Sequence, residues 1–362
     1  MRETIYYWKC DRPSALHRIE QSEEVLSESD IQPELARLLS DPFPNLRALV
    51  SAGGQGNHRT YLLESGTDRA FVRVEDGPEQ DGHLAMESQV MKEVAKTGVP
   101  VPKVLFTDAS RIKVPFAVQV IEYFDCPDLN TLHRAGSLPI EHIAREIGRG
   151  IARWQDVPVS GFGPFDAKAS AATGLLTGYH RNYARYFQLH LERHLARLIT
   201  QEFLSPSEAA GINRVLTENA DLMDLPRGCL VHKDVALWNI MGTDDGIQAF
   251  IDWDDAISGD PTDDLSLLAC FHPANVVQAA ITGYASVRPL PENFAPRFWL
   301  HLLRNMIVKA VIRCDAGYFS QTAGGAFLMA PDQDGAAFQA ATRDKLFLAS
   351  HSLDLSHPLT NL

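Results

Sequence analysis

Asp234, Asn239 and Asp252 are the side chains in this sequence whose types and spacing point most directly to chemistry. The stretch Val231-His232-Lys233-Asp234-Val235-Ala236-Leu237-Trp238-Asn239 sets a carboxylate five positions ahead of an amide. Phosphoryl transfer asks little covalent work of a protein. It needs a carboxylate to align the attacking hydroxyl and ligands to hold Mg²⁺ on the phosphates. Asp234 can serve as the base and Asn239 can turn its amide oxygen to the metal. Phe250-Ile251-Asp252-Trp253 adds a second carboxylate at the end of a β-prone run. Asp244-Asp245-Gly246 lies between and reads as a hairpin turn, which brings Asp252 back beside Asn239.

His232-x-Asp234 followed by Asn239 also has the catalytic-loop spacing of protein kinases. Joined to Ile251-Asp252-Trp253 and Gly259-Asp260-Pro261-x-x-Asp264-Leu265, it resembles the aminoglycoside phosphotransferase and choline kinase family. The resemblance spans roughly residues 46–315 and is strongest over 231–266. It implies a bilobal, protein-kinase-like α+β fold using ATP and Mg²⁺, with Asp234 as the catalytic aspartate. It makes Asn239 and Asp252 the metal ligands, and Asp260 and Asp264 structural residues that pin the loop and the next helix. Arg73 in Phe71-Val72-Arg73-Val74 falls where the family places a basic residue on the nucleotide phosphates, and Glu87 falls where its helix partner stands. Gly53, Gly54, Gln55, Gly56 and Asn57 form the phosphate-covering loop in this reading, though such a run also suits a plain hairpin turn. Gln119 to Tyr123, with Glu122 and Tyr123 at its end, becomes the hinge beside adenine. Ser160-Gly161-Phe162-Gly163-Pro164-Phe165 resembles the hygromycin phosphotransferase branch. It precedes an expected aromatic helix with Tyr179, Tyr183, Tyr186 and Phe187, whose spacing suits a core stripe more than a substrate platform. Lys233 departs from the family's usual Gly, and such a lysine is expected to contact the γ-phosphate or face solvent. His232 reads as a buried scaffold residue.

These residues need elements to hold them. Ala48–Val50, Thr60–Leu63 and Ala70–Val74 are short β-prone runs; residues 83–97 follow as a helix with apolar positions on one face. Two more strands, Val104–Thr107 and Phe116–Ile121, complete a mainly antiparallel sheet with one helix. Ile140, Ile143, Ile147, Ile151 and Trp154 mark an amphipathic helix, and further helical stretches fall near 175–200, 206–222, 262–270, 291–315 and 335–350. Residues 1–45 are expected to be an N-terminal extension, 46–123 a nucleotide-binding lobe, and 124–362 a helical catalytic and substrate-binding lobe.

With 45% hydrophobic residues the chain has ample material for a core. A net charge of −13 and the lack of a basic patch argue against nucleic acid or membrane partners. The acidity suits solubility, and equally a cationic acceptor. Five scattered cysteines without CxxC spacing argue against a disulfide framework and a zinc cluster. The first residues lack the apolar core of a signal peptide, and Phe298–Ile312 is broken by His301, Arg304 and Lys309, so a cytoplasmic protein is expected. The sum is a kinase acting on a hydroxyl of a small molecule: an aminoglycoside or aminocyclitol, another sugar, or an amino alcohol. The competing reading is a catalytically silent kinase-like binding or regulatory module. No Ala-Pro-Glu segment follows Asp252, which argues against a protein substrate. Oligomeric state has no signal in the sequence.

Overall fold

The computed structural model describes residues 2–17, 26–53, 58–321 and 334–362. The chain begins with a 3₁₀ turn at Arg2–Thr4, α1 (Trp8–Asp11) and α2 (Pro13–His17). α3 (Glu28–Leu39) starts at a capping box in which Ser27 and Asp30 satisfy each other's backbone N–H groups. The smaller lobe follows. β1 (Leu46–Ser51), β2 (Arg59–Ser65), β3 (Asp68–Glu75), β4 (Val104–Asp108) and β5 (Ala117–Glu122) form an antiparallel sheet in the order β1-β2-β3-β5-β4. Alternation decides its faces: Tyr61 and Leu63 on β2, and Ala70, Val72 and Val74 on β3, point into a core closed by Ile31, Leu35 and Leu39 of α3. α4 (Leu84–Ala95) packs against β4 and β5.

The larger lobe holds α5 (Leu129–Arg134), α6 (Ile140–Trp154), α7 (Ala167–Thr173), α8 (Tyr183–Phe187), α9 (Leu191–Thr200) and α10 (Pro206–Glu218). It continues with α11 (Asp263–Leu268), α12 (Ala274–Ala285), α13 (Phe294–Asp315) and α14 (Gly335–Asp354). Short strands β6 (Val159–Ser160), β7 (Phe162–Phe165), β8 (Leu176–His180), β9 (Cys229–Val231) and β12 (Ile257–Gly259) form a second sheet, while β10 (Ile240–Thr243) and β11 (Gly246–Phe250) make a hairpin. The bilobal α+β fold is the one expected. Among the described residues, no helix is long and apolar enough to cross a membrane.

One local expectation changes, and two features are added to it. The helix expected from residue 175 begins as β8, so Tyr179 sits on a strand, and only Tyr183, Tyr186 and Phe187 share α8. Gly178 permits the strand to close on β7: a Cβ there would lie 2.4 Å from the Phe162 carbonyl oxygen. α12 was not among the expected helices; Val276, Val277, Ala279, Ala280, Ile281 and Tyr284 form its buried face, and Asn275, Gln278 and Thr282 lie along an exposed stripe opposite. It packs so tightly on α6 that a Cβ at Gly148 would fall 1.9 Å from the Ala280 carbonyl oxygen. Finally, the N-terminal extension packs inward. Ile5, Tyr6, Tyr7, Trp8 and Cys10 are buried, and Tyr6 and Tyr7 join the core of the larger lobe, where the Tyr6 ring stacks on Tyr186 at 5.1 Å.

Candidate active site

The loop after β9 is held from beneath. Asp264, in the first turn of α11, accepts the backbone N–H groups of His232 and Lys233, each at 2.9 Å, and the Trp154 indole N–H at 3.1 Å. Asp260 accepts the Thr262 N–H at 2.8 Å and lies 3.2 Å from His301 Nε2. His232 is buried. Its Nε2 donates to the Ile251 carbonyl at 3.0 Å, and Nδ1 accepts the Asp234 N–H at 3.3 Å. Burial holds its pKa below the ordinary histidine value, in keeping with a neutral ring whose tautomer follows from those two bonds.

Lys233 neither meets a phosphate nor faces solvent. Its backbone takes the left-handed conformation at φ 70°, which explains the glycine usual at this position. Its ammonium is 1% exposed and lies 2.6 Å from Asp263 Oδ2, with Tyr6 Oη and Asn305 Oδ1 each at 3.2 Å. Replacing Lys233 by methionine should destabilise the fold by about 3–5 kcal/mol, because Asp263 loses its buried counter-charge. Urea denaturation measures this, and an unchanged midpoint would mean that Asn305 and His301 suffice for Asp263.

Asp234 is the most heavily bonded carboxylate of the loop. Oδ1 accepts the Tyr7 hydroxyl at 2.9 Å and the Lys309 ammonium at 3.0 Å, while Oδ2 accepts the Asn239 amide at 3.0 Å. Burial opposes its ionisation, but Lys309 and then Lys9 outweigh it and hold the pKa below the usual aspartate value. Tyr7 and Lys309 have no counterpart in the sequence reading. A usable signal existed for Lys309: a charge in the middle of an otherwise apolar helix must have a partner.

The smaller lobe reaches the same place. Arg73 on β3 pairs with Glu87 of α4 at 2.5 Å and with Asp252 at 3.0 Å, and Glu87 also accepts the Trp253 N–H at 3.1 Å. Asp252 adopts φ 65°, a left-handed conformation that aspartate tolerates better than most residues. Its side chain is 39% exposed, yet the desolvating walls and then the neighbouring Asp254 carboxylate push its pKa well above the usual value.

Asp234, Asn239, Arg73 and Asp252 line one interlobe cleft of about 290 Å³. Phe71, Ile121, Phe124, Met241 and Ile251 give it apolar walls, and Glu122 and Tyr123 border it; Asp234, Asn239, Asp252, Asp254 and Asp255 give it an acidic side with Lys9. Gly53 has φ 68° and its carbonyl accepts the Thr60 hydroxyl. Gly54, Gln55, Gly56 and Asn57 lie outside the described residues. The donor set suits a hard divalent cation. Asn239 uses its amide nitrogen on the Asp234 carbonyl and carboxylate, which leaves the amide oxygen, and Asp252 adds a carboxylate in a surplus of negative charge.

Residues 49–297 match the model of the family described as phosphotransferase enzyme family, APH. The chain belongs to that family. Among proteins of curated function, none matches it in sequence. Solved structures of similar fold include aminoglycoside phosphotransferase APH(4)-Ia, at TM-score 0.61 and 17% identity over 88% of this chain and 98% of the other. A thermostable mutant of that enzyme, in ternary complex with AMP-PNP and hygromycin B, gives TM-score 0.62 at 18% identity, covering 87% and 98%. Macrolide 2′-phosphotransferase MphH from Brachybacterium faecium gives TM-score 0.57 at 18% identity, covering 87% and 97%. At such identities the likeness is one of fold and does not choose an acceptor. For this phosphotransferase the family resemblance read from the loop, the Ile-Asp-Trp strand end and the Gly-Asp-Pro segment is confirmed.

Proposed function

We propose that this phosphotransferase moves the γ-phosphoryl of ATP, with Mg²⁺, to a hydroxyl of a small molecule. The observation that carries the reading is the convergence of Asp234, Asn239, Asp252 and Arg73, the last held by Glu87, on one cleft with apolar walls. The Asp234 carboxylate orients the acceptor hydroxyl and takes its proton as the O–P bond forms and the bond to the ADP oxygen breaks. Arg73, fixed by Glu87, meets the nucleotide phosphates through its planar guanidinium. Asn239 and Asp252 hold Mg²⁺, which neutralises charge on the phosphates when bound. The adenine lies against Phe71, Ile121 and Met241, with Glu122 and Tyr123 at its edge. Residues 46–123 thus supply the nucleotide-binding lobe and 124–362 the catalytic and acceptor-binding lobe, and reliance on ATP fits a cytoplasmic site of action. Both proposed metal positions carry oxygen ligands, which disfavours the silent-module reading.

The acceptor class comes from an experiment. Aminoglycosides, aminocyclitols such as hygromycin B, neutral sugars and choline-type alcohols are offered with ATP and Mg²⁺, and ADP release is followed together with product mass. The hygromycin B complex of the APH(4)-Ia mutant and the net charge of −13 both support including cationic sugars. Mg²⁺-dependent transfer to at least one class is expected. If neither transfer nor a nucleotide-dependent thermal shift is seen with any, the proposal fails.

A further inference from the structure

The first residues of the chain reach the catalytic loop, and the way they are held gives them a task. Asp11 folds the segment back on itself by accepting the backbone N–H groups of Tyr6 at 3.2 Å and Tyr7 at 3.0 Å. The same carboxylate is anchored to the larger lobe by His194 Nε2 at 2.7 Å and Arg193 at 2.8 Å. Tyr6 is clamped between the Tyr186 ring and the Arg304 guanidinium, which lies 3.7 Å from its centroid, and Tyr186 donates its hydroxyl to the Tyr6 carbonyl at 2.9 Å. This scaffolding sets the Tyr7 hydroxyl against the base. Tyr7 Oη, Lys309 Nζ and Asp234 Oδ1 form a closed triangle with sides of 2.9, 2.9 and 3.0 Å.

The triangle stands behind Asp234. The cleft is lined by Asp234 and Lys9 but by neither Tyr7, which is 3% exposed, nor Lys309, which is 6% exposed. With Oδ1 fixed by two donors and Oδ2 by Asn239, the carboxylate cannot rotate freely, while Oδ2 keeps lone-pair capacity for an incoming hydroxyl. A base held in this way is already aligned when the acceptor arrives, and small losses of alignment cost large factors in rate.

We propose that Tyr7, braced by Lys309, is a positioning residue for Asp234, which makes the N-terminal segment a working part of the catalytic centre. The proposal rests on the phosphotransfer reading above.

The test compares wild type, Tyr7→Phe and Asp11→Ala on the acceptor found in the screen, with ATP hydrolysis without acceptor measured alongside. Phenylalanine keeps the packing of the ring and removes only the hydroxyl. Tyr7→Phe should lower kcat about 10- to 100-fold, the usual effect of a lost bond to a charged group, with KM for ATP unchanged within about twofold. Asp11→Ala frees the segment with the hydroxyl intact and should show the same split. A Tyr7→Phe enzyme with wild-type kcat overturns the proposal, as does a loss carried by KM for ATP. Faster turnover by either variant overturns it too, by marking the segment as a plug that imitates an acceptor. A wild type that neither transfers nor hydrolyses overturns the phosphotransfer reading and this inference with it, whereas an active wild type matched by Tyr7→Phe overturns this inference alone.

Discussion

Replacing Asp234 by asparagine should lower kcat by about 10²–10⁴-fold, the span general-base catalysis contributes, with nucleotide affinity little changed. Asp234 lines the cleft and is held by Tyr7, Lys309 and Asn239, so in the proposed mechanism its loss falls on the chemical step. Asparagine is the cleaner substitution. Alanine would leave Lys309, 7% exposed along its side chain, without its carboxylate, at a stability cost of about 3–5 kcal/mol. Steady-state kinetics with titration calorimetry of an ATP analogue separate the two effects. Retained turnover in the asparagine variant would remove Asp234 from its role.

Asp252→Asn should lower kcat/KM for MgATP by about 10²–10³-fold, the several kcal/mol a correctly held metal contributes, and raise the Mg²⁺ concentration needed for half-maximal rate. The same substitution should raise the melting temperature of the metal-free protein. The Asp252 carboxyl has its pKa pushed up by its walls and by Asp254, so above the unfolded value its ionisation favours the unfolded chain. That penalty is absent at low pH, where the carboxyl is protonated in both states, and grows as pH climbs past the unfolded pKa. Asparagine removes the charge, tolerates the left-handed backbone at φ 65°, and can still accept from Arg73. Opposite signs in activity and metal-free stability identify a metal ligand. A variant that loses both is a structural residue, and the metal assignment then fails.

The machinery between Val231 and Leu265 was legible because its geometry is local. A strand, a loop, a hairpin and a helix start lie in one stretch, and each step constrains the next within a few residues. The Arg73–Glu87 pair was legible for a similar reason, since a strand followed directly by a helix offers few ways to bring residues 14 apart together, and the observed 2.5 Å contact is one of them. Lys233 was misread because the residue type was visible and its partner was not. Its counter-ion is 30 positions away on α11, and no periodicity links a loop lysine to a helix-start aspartate.

The sequence by itself therefore determined the fold class and the family, and it singled out Asp234, Asn239 and Asp252, which the structure brings to one cleft; all of this depends on residue type at short range. Tertiary structure alone decided what stands behind Asp234. Tyr7 lies 227 positions from it and Lys309 lies 75, on segments that read as an extension and as an apolar helix. The physical reason is that a buried carboxylate needs donors but does not specify from which part of the chain they come. Packing of Tyr6 and Asp11 against α8, α9 and α13 makes that choice.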